Sequence, residues 1–352
     1  MAIHADFEEP ILFDDEDESL LSLSSTHTPQ FRVAPNNWYS SISRGVRVPP
    51  EEAGFTAMAA FIADTLRDEG WLDGTVGLQL GSYRPNRLDS ERFEAALKSR
   101  GAKTVDATDL VPLARRHKSP LEIQKIREAA RIGDIGMRAL VDNIREGVTE
   151  LELYAAATSA MAAAGGELAA IPGMVNSGPK NAALHGAAGR RKIKRGDLIN
   201  VDMCGVLDRY HSNLARCISF GEPEPGTRKA IDQVTSVYDQ VRAAMRPGMP
   251  ISELLDINEA AARELGIWEA SWWVGGYDMG IAMAPDWVGR FQFSADEDPG
   301  DALLTPGLVM NHEWNYYLPN AAGIRELIDT LIVTDETVEF PHQFMTGLVV
   351  VD

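Results

Sequence analysis

The feature that most constrains this chain is the stretch from Ile199 to Asn213. Ile199-Asn200-Val201-Asp202 reads as a buried strand, followed by a tight return and a second strand at Tyr210-His211-Ser212-Asn213. The pair brings position 213 back toward Asp202, eleven residues earlier.

With 352 residues and 45% hydrophobic content, the chain can build two domains with a sizeable core. Its net charge of −19 argues against nucleic acid and anionic membranes as partners, because both require a basic face. It is compatible with a small cationic substrate. Two cysteines, Cys204 and Cys217, do not make a disulfide scaffold and fit a reduced, cytoplasmic setting. No leader pattern and no apolar run of membrane-spanning length is recognised, so neither secretion nor insertion is expected.

Three segments are expected. Residues 1–34 carry the like-charge block Asp14-Asp15-Glu16-Asp17-Glu18 and a Ser/Thr-rich stretch, which together suggest a solvated acidic tail. Residues 35–117 alternate helix and strand. Ala53 to Glu69 and Ser90 to Lys98 fit helices, and Thr75 to Leu80 and Thr104 to Asp106 fit strands, giving a small α/β domain without a phosphate loop. Residues 118–352 open on a strong helix start. Ser119 caps, Pro120 takes the first turn and Glu122 completes a capping box; Thr149 and Glu152 repeat the device. Helices are also expected from about Thr227 to Met245 and from Ile251 to Leu265.

Several segments together resemble the pita-bread fold hydrolases, which include creatinase, prolidases, aminopeptidase P, methionine aminopeptidases and ectoine hydrolase. The segments are Lys118-Ser119-Pro120-Leu121-Glu122-Ile123, Leu184-His185-Gly186, Gly196-Asp197 before Asp202, Tyr210-His211-Ser212-Asn213 with Arg216, Pro306-Gly307 before Glu313, and Gly323-Ile324-Arg325-Glu326. The resemblance covers roughly 118–352. It implies an α+β fold: a small N-terminal α/β domain, then a C-terminal pita-bread domain with a curved antiparallel sheet backed by helices. It also implies a homodimer.

In the metal-dependent members of that family two aspartates, a histidine and two glutamates hold two divalent cations. Asp202 matches the first aspartate and Glu313 the first glutamate. Glu326 matches the second, one residue earlier than the usual register. Asn213 stands where the family has its bridging aspartate. The Gly-His-x-x-Gly segment reads Gly276-Tyr277-Asp278-Met279-Gly280, with tyrosine in place of the ligand histidine. The expectation is therefore no stable two-metal centre and no cofactor. The alternative is that Mn, Co, Zn or Fe is still held through Asp202, Glu313 and Glu326.

Three carboxylates facing one pocket cannot all stay ionised without a cation, so either one is protonated or a positive group sits among them. Creatinase, which resembles this chain in lacking metals, binds a guanidinium substrate. The leading expectation is thus a creatinase-like, metal-independent enzyme cleaving a C–N bond of a small metabolite. His185 would be general base, Glu313 and Glu326 would be catalytic carboxyls, and Tyr277 a proton donor. Asp202, Asn213, His211, Asp286, Trp287 and Arg325 are expected to contact the substrate. Asp286 and Trp287 join this set through a Gly276-Tyr277 … Ala284-Pro285-Asp286-Trp287 pattern that resembles ectoine hydrolase and related lyases. His312 should point away from the pocket if Glu313 points in. Two other readings stand beside this one: a metal-dependent Xaa-Pro dipeptidase or aminopeptidase, and a re-tasked lyase, cyclase or binding scaffold.

Overall fold

The structure, a computed structural model, describes residues 1–7, 9–14, 32–35, 42–43, 46–47, 54–81, 85–318 and 323–352. These divide into two compact units, Met1–Val111 and Pro112–Asp352. The division falls a few residues before the expected boundary at 117/118.

In the first unit, β1 (Ile11–Asp14) pairs in parallel with β2 (Arg32–Pro35), and β3 (Ile42–Ser43) forms an antiparallel pair with β4 (Val46–Arg47). Helix α1 (Gly54–Asp68) precedes β5 (Thr75–Leu78). Helix α2 (Arg87–Lys98) then crosses to β6 (Lys103–Asp106), which runs parallel to β5. A parallel pair needs such a crossover. Ile11, Ala63, Leu66, Trp71, Leu78 and Leu97 share one apolar core. Part of the expected 1–34 tail is therefore built in: Ile11 is buried and Phe7 stacks on Trp71 at 5.8 Å. Ile11 is anchored by its apolar burial, while Phe7 stays largely exposed and is held by its ring contact with Trp71. That block from Asp15 onward, and the Ser/Thr-rich stretch after it, lie outside the described residues.

Helix α3 (Leu110–Arg115) spans the division between the units. In the second unit, α4 (Pro120–Asp142) and α5 (Glu150–Ala163) both start on complete capping boxes. Strands β7 (Met174–Ser177), β8 (Leu198–Leu207) and β9 (Tyr210–Phe220) follow, then α6 (Pro225–Ala244) and α7 (Ile251–Glu264). The chain continues through β10 (Ser271–Tyr277), β11 (Gln292–Ser294), β12 (Val309–Tyr317), β13 (Ile324–Val333), β14 (Val338–Glu339) and β15 (Val349–Val351). They form one sheet in the order β11-β10-β12-β13-β9-β8-β7, with β14 on β13 and β15 on β9.

One face of this sheet is covered by two helix pairs. Ile132, Met137 and Leu140 of α4 and Leu153 and Ala157 of α5 pack on Val201, Met203 and Leu214. Val234, Tyr238 and Val241 of α6 and Leu254 of α7 pack on Trp314, Leu327 and Leu331. Alternation along the strands sends the intervening residues to the other face. Gly205 lets α4 lie directly on β8, since a Cβ there would stand 1.9 Å from the Ala129 carbonyl oxygen.

The β8–β9 hairpin closes on Leu207 opposite Tyr210, with Asp208 and Arg209 both at positive φ (48° and 64°). This is the two-residue return whose twist suits paired strands. Arg209 lacks the usual glycine's freedom, and its side chain is fastened to the Leu168 carbonyl at 2.8 Å and to Glu167 at 3.2 Å. The turn fixes the register: Cys204 faces Asn213 and Asp202 faces Ala215, so Asp202 and Asn213 share a face.

Candidate active site

The acidic residues converge where the two halves of the sheet meet. Only two register pairs join β9 to β13, Ile328 with Ala215 and Asp329 with Leu214. On the face away from the helices, β8 supplies Asn200 and Asp202, and β9 supplies Asn213. Strand β12 supplies Asn311, Glu313 and Asn315 at alternate positions, and β13 supplies Glu326, in register with Asn315. Side chains bridge the seam. Asn200 Nδ2 donates to Glu326 Oε2 at 2.7 Å, and the Asn213 amide N–H donates to Thr330 Oγ1 at 2.7 Å.

Each carboxylate carries a carboxamide partner. Asn213 Nδ2 donates to Asp202 Oδ1 at 2.6 Å, Asn315 Nδ2 to Glu313 Oε1 at 2.6 Å, and Asn311 Nδ2 to Glu313 Oε2 at 3.1 Å. The orientation of Asn213 is fixed from both ends. Its nitrogen also donates to the Met203 carbonyl at 3.2 Å, while its oxygen faces the Asn311 amide nitrogen at 3.5 Å.

All three acids are buried. Burial lifts Asp202 to about 7, against the pull of the Asn213 hydrogen bond. Burial also lifts Glu313 to about 7; its Asn partners oppose the rise and the Asp202 charge adds to it. Glu326 is pushed well above the ordinary carboxylate range by burial and then by Asp202 and Glu313. Tyr277 lies within the field of Glu313 and Asp202; burial and those charges hold its phenol neutral. Trp287 Nε1 donates to Tyr277 Oη at 3.1 Å, leaving the phenolic hydrogen free to be donated.

The structure thus brings together Asp202, Asn213, Glu313, Glu326 and Tyr277, with Trp287 behind the last. Other expected site residues lie elsewhere. His211 is buried with both ring nitrogens engaged: Nε2 accepts from the Ala170 amide at 3.0 Å, and Nδ1 donates to the Arg209 carbonyl at 2.8 Å. Burial lowers it to about 4, so it is a neutral strut and not a substrate contact. Arg325 is paired with Tyr316, one residue out of phase with Glu326; its charge still reaches Glu326 and opposes the rise of that carboxyl. Asp286 is exposed in a turn, where its Oδ1 accepts from the Val288 amide at 2.9 Å. His185 lies on an exposed turn between β7 and β8 and makes no hydrogen bond or ion pair to the acids among the described residues. His312 stacks on Tyr238 of α6 at 4.7 Å, on the side away from Glu313.

Sequence reasoning missed Asn200, Asn311 and Asn315. The signal was present: Asn311-x-Glu313-x-Asn315 and Asn200-x-Asp202 place amides on the same strand face as the acids.

Residues 124–335 match the model of Metallopeptidase family M24. The chain belongs to this family. The Xaa-Pro dipeptidase of Pyrococcus furiosus is 28% identical over 245 residues, 70% of this chain and 68% of that protein. The Xaa-Pro dipeptidase of Pyrococcus horikoshii is 28% identical over 264 residues, 75% and 72% of the two chains. Among solved structures, the X-Pro aminopeptidase of Thermotoga maritima superposes with a TM-score of 0.76 at 21% identity, covering 98% of this chain and 88% of that one. The prolidase of Pyrococcus furiosus gives 0.75 at 21% identity, covering 96% and 88%. The fold is therefore the pita-bread fold, and the activity class is hydrolysis of C–N bonds.

Membership in a metallopeptidase family corrects the expectation that this chain needs no cofactor. That expectation weighed two lost ligands against the whole site and left three acids without a counter-charge. The residues present suit a divalent cation in charge and donor type. Three buried acids crowd one face, and the carboxamide oxygen of Asn315 is buried without a hydrogen-bond partner. They do not reproduce the two-ion set. Among the described residues no group of three or more His, Cys, Asp or Glu side chains is already gathered as a metal cage. By the resemblance, Asn213 and Tyr277 stand where the family's two-ion members have an aspartate and a histidine. Among the described residues, no helix is long and apolar enough to cross a membrane.

Proposed function

We propose that this chain is a divalent-cation-dependent peptidase that cleaves the amide bond preceding proline in small peptides. The observation that carries the reading is the meeting of Asp202, Glu313 and Glu326 on one face of the sheet in a metallopeptidase-family chain. Its relatives named Xaa-Pro dipeptidase support the same substrate class.

Asp202, Glu313 and Glu326 would hold the ion, with Mn, Co, Zn and Fe as the candidates. When bound, such an ion polarises a carbonyl and makes water a stronger nucleophile near neutral pH. The remaining work falls to the chain's own groups. Asn311 and Asn315 hold both oxygens of Glu313, so its carboxyl is aimed before substrate arrives. Glu313 would take a proton from water and return it to the departing proline nitrogen. Tyr277, kept neutral and oriented by Trp287, would donate its hydrogen to the carbonyl oxygen as negative charge develops there. His185 lies on an exposed turn, which suits contact with the far end of the substrate. The homodimer implied by the resemblance is retained, and light scattering of the purified chain tests it.

The test is hydrolysis of Xaa-Pro dipeptides by protein stripped with chelator and then resupplied with Mn2+. Loss on stripping and recovery on addition are expected, and Glu313→Gln should abolish the recovered activity. Undiminished turnover in the stripped protein, or none under any cation, would overturn the reading.

A further inference from the structure

We infer that the acid cluster takes a single, oxygen-ligated cation per chain, because the Asn213 carboxamide has closed the second position. The inference deepens the proposed function and rests on its cation dependence.

The Asn213 amide nitrogen points at Asp202 and is locked there by the Met203 carbonyl, at 2.6 and 3.2 Å. A cation shared by these two side chains would have to displace an N–H donor with its partial positive charge. Turning the amide over would set its oxygen against the Met203 carbonyl and bring its nitrogen to the Asn311 nitrogen. Three donor–acceptor contacts, to Asp202, Met203 and Asn311, would be lost at once in a buried place, which is costly.

The other side of the cluster is built differently. Asn315, 1% exposed, donates its nitrogen to Glu313 at 2.6 Å, while its carboxamide oxygen has no hydrogen-bond partner. That oxygen belongs to the residue directly in register with Glu326. A buried acceptor beside two carboxylates calls for a positive group, not for another acceptor. The ion is therefore placed on the Glu313–Glu326–Asn315 side, with Asp202 across the seam.

The donors are all oxygen. His211 has both nitrogens engaged, His312 is turned to the helix face, and Tyr277 replaces the imidazole. Of the candidate ions, carboxylate and carbonyl oxygens favour Mn2+, the hardest, over Zn2+, Co2+ and Fe2+, which imidazole suits better.

The test uses the full chain, stripped of metal and titrated with Mn2+, read by elemental analysis after desalting and by electron paramagnetic resonance. One Mn2+ per chain with the hyperfine pattern of an isolated ion is expected. The double variant Asn213→Asp/Tyr277→His should then retain a second ion and show an exchange-coupled spectrum. Two coupled ions in the unaltered chain, or none retained, would overturn the inference whether or not the variant folds. The peptidase reading fails separately: one bound Mn2+ without Xaa-Pro hydrolysis sinks the function and leaves the stoichiometry standing.

Discussion

Replacing Asp329 by alanine should damage the protein more than any nearby surface change. The two halves of the sheet share only a short β9–β13 seam, and Asp329 staples it on the helix side. Arg216 Nη2 lies 2.7 Å from Asp329 Oδ1, and Arg242 Nη1 lies 3.2 Å from Oδ2. Arg216 is fully buried and Asp329 is 1% exposed. Removing one partner of a buried ion pair typically costs about 3–5 kcal/mol, because the other charge is left uncompensated. Arg216 would keep four carbonyl partners, on Met345, Ala215, Ile328 and Phe344. That retention places Asp329→Ala near the lower end, roughly 3 kcal/mol. Arg242→Ala removes a partly exposed cation that also lies over Phe340, and should cost only about 1 kcal/mol. Urea unfolding followed by circular dichroism measures both. A loss below about 1 kcal/mol for Asp329→Ala, with an unchanged urea slope, would refute the staple.

Three further outcomes are expected. In cation-free protein, stability should fall as pH rises from about 4 to about 7. Asp202, lifted from its ordinary 3.8 to about 7, binds its proton more tightly folded than unfolded, a difference on the order of 4 kcal/mol. Glu313 acts in the same direction. Chemical denaturation of stripped protein at pH 5 and pH 8 checks this, and equal or greater stability at pH 8 would refute it. Gly205→Ala should cost about 3 kcal/mol or more by forcing α4 off β8, read as a lowered urea midpoint. Tyr277→Phe should lower kcat by roughly 10²-fold while leaving Mn2+ content unchanged, which steady-state kinetics and elemental analysis separate.

Much of this arrangement could be read from residue types because local rules enforce it. The capping boxes at Ser119 and Thr149 start helices where expected, and α6 and α7 lie close to the expected spans. Asp202 and Asn213 share a face because a two-residue return leaves the strands no other register. Strand parity also separates His312 from Glu313. Asp286 and His211 were not legible in this way. The His211 ring is engaged in part by a backbone group distant in sequence, the Ala170 amide, whereas Asp286 is taken up locally by the Val288 amide of its own turn. Asn200, Asn311 and Asn315 look like ordinary polar strand residues until the seam brings them to Asp202, Glu313 and Glu326.

Anomalous diffraction from a crystal grown with Mn2+ addresses the centre of this account most directly. The account predicts one peak bounded by Asp202, Glu313 and Glu326, with the Asn315 carboxamide oxygen turned toward it. A map with no peak at those acids, or with an ion lodged between Asp202 and Asn213, would contradict it.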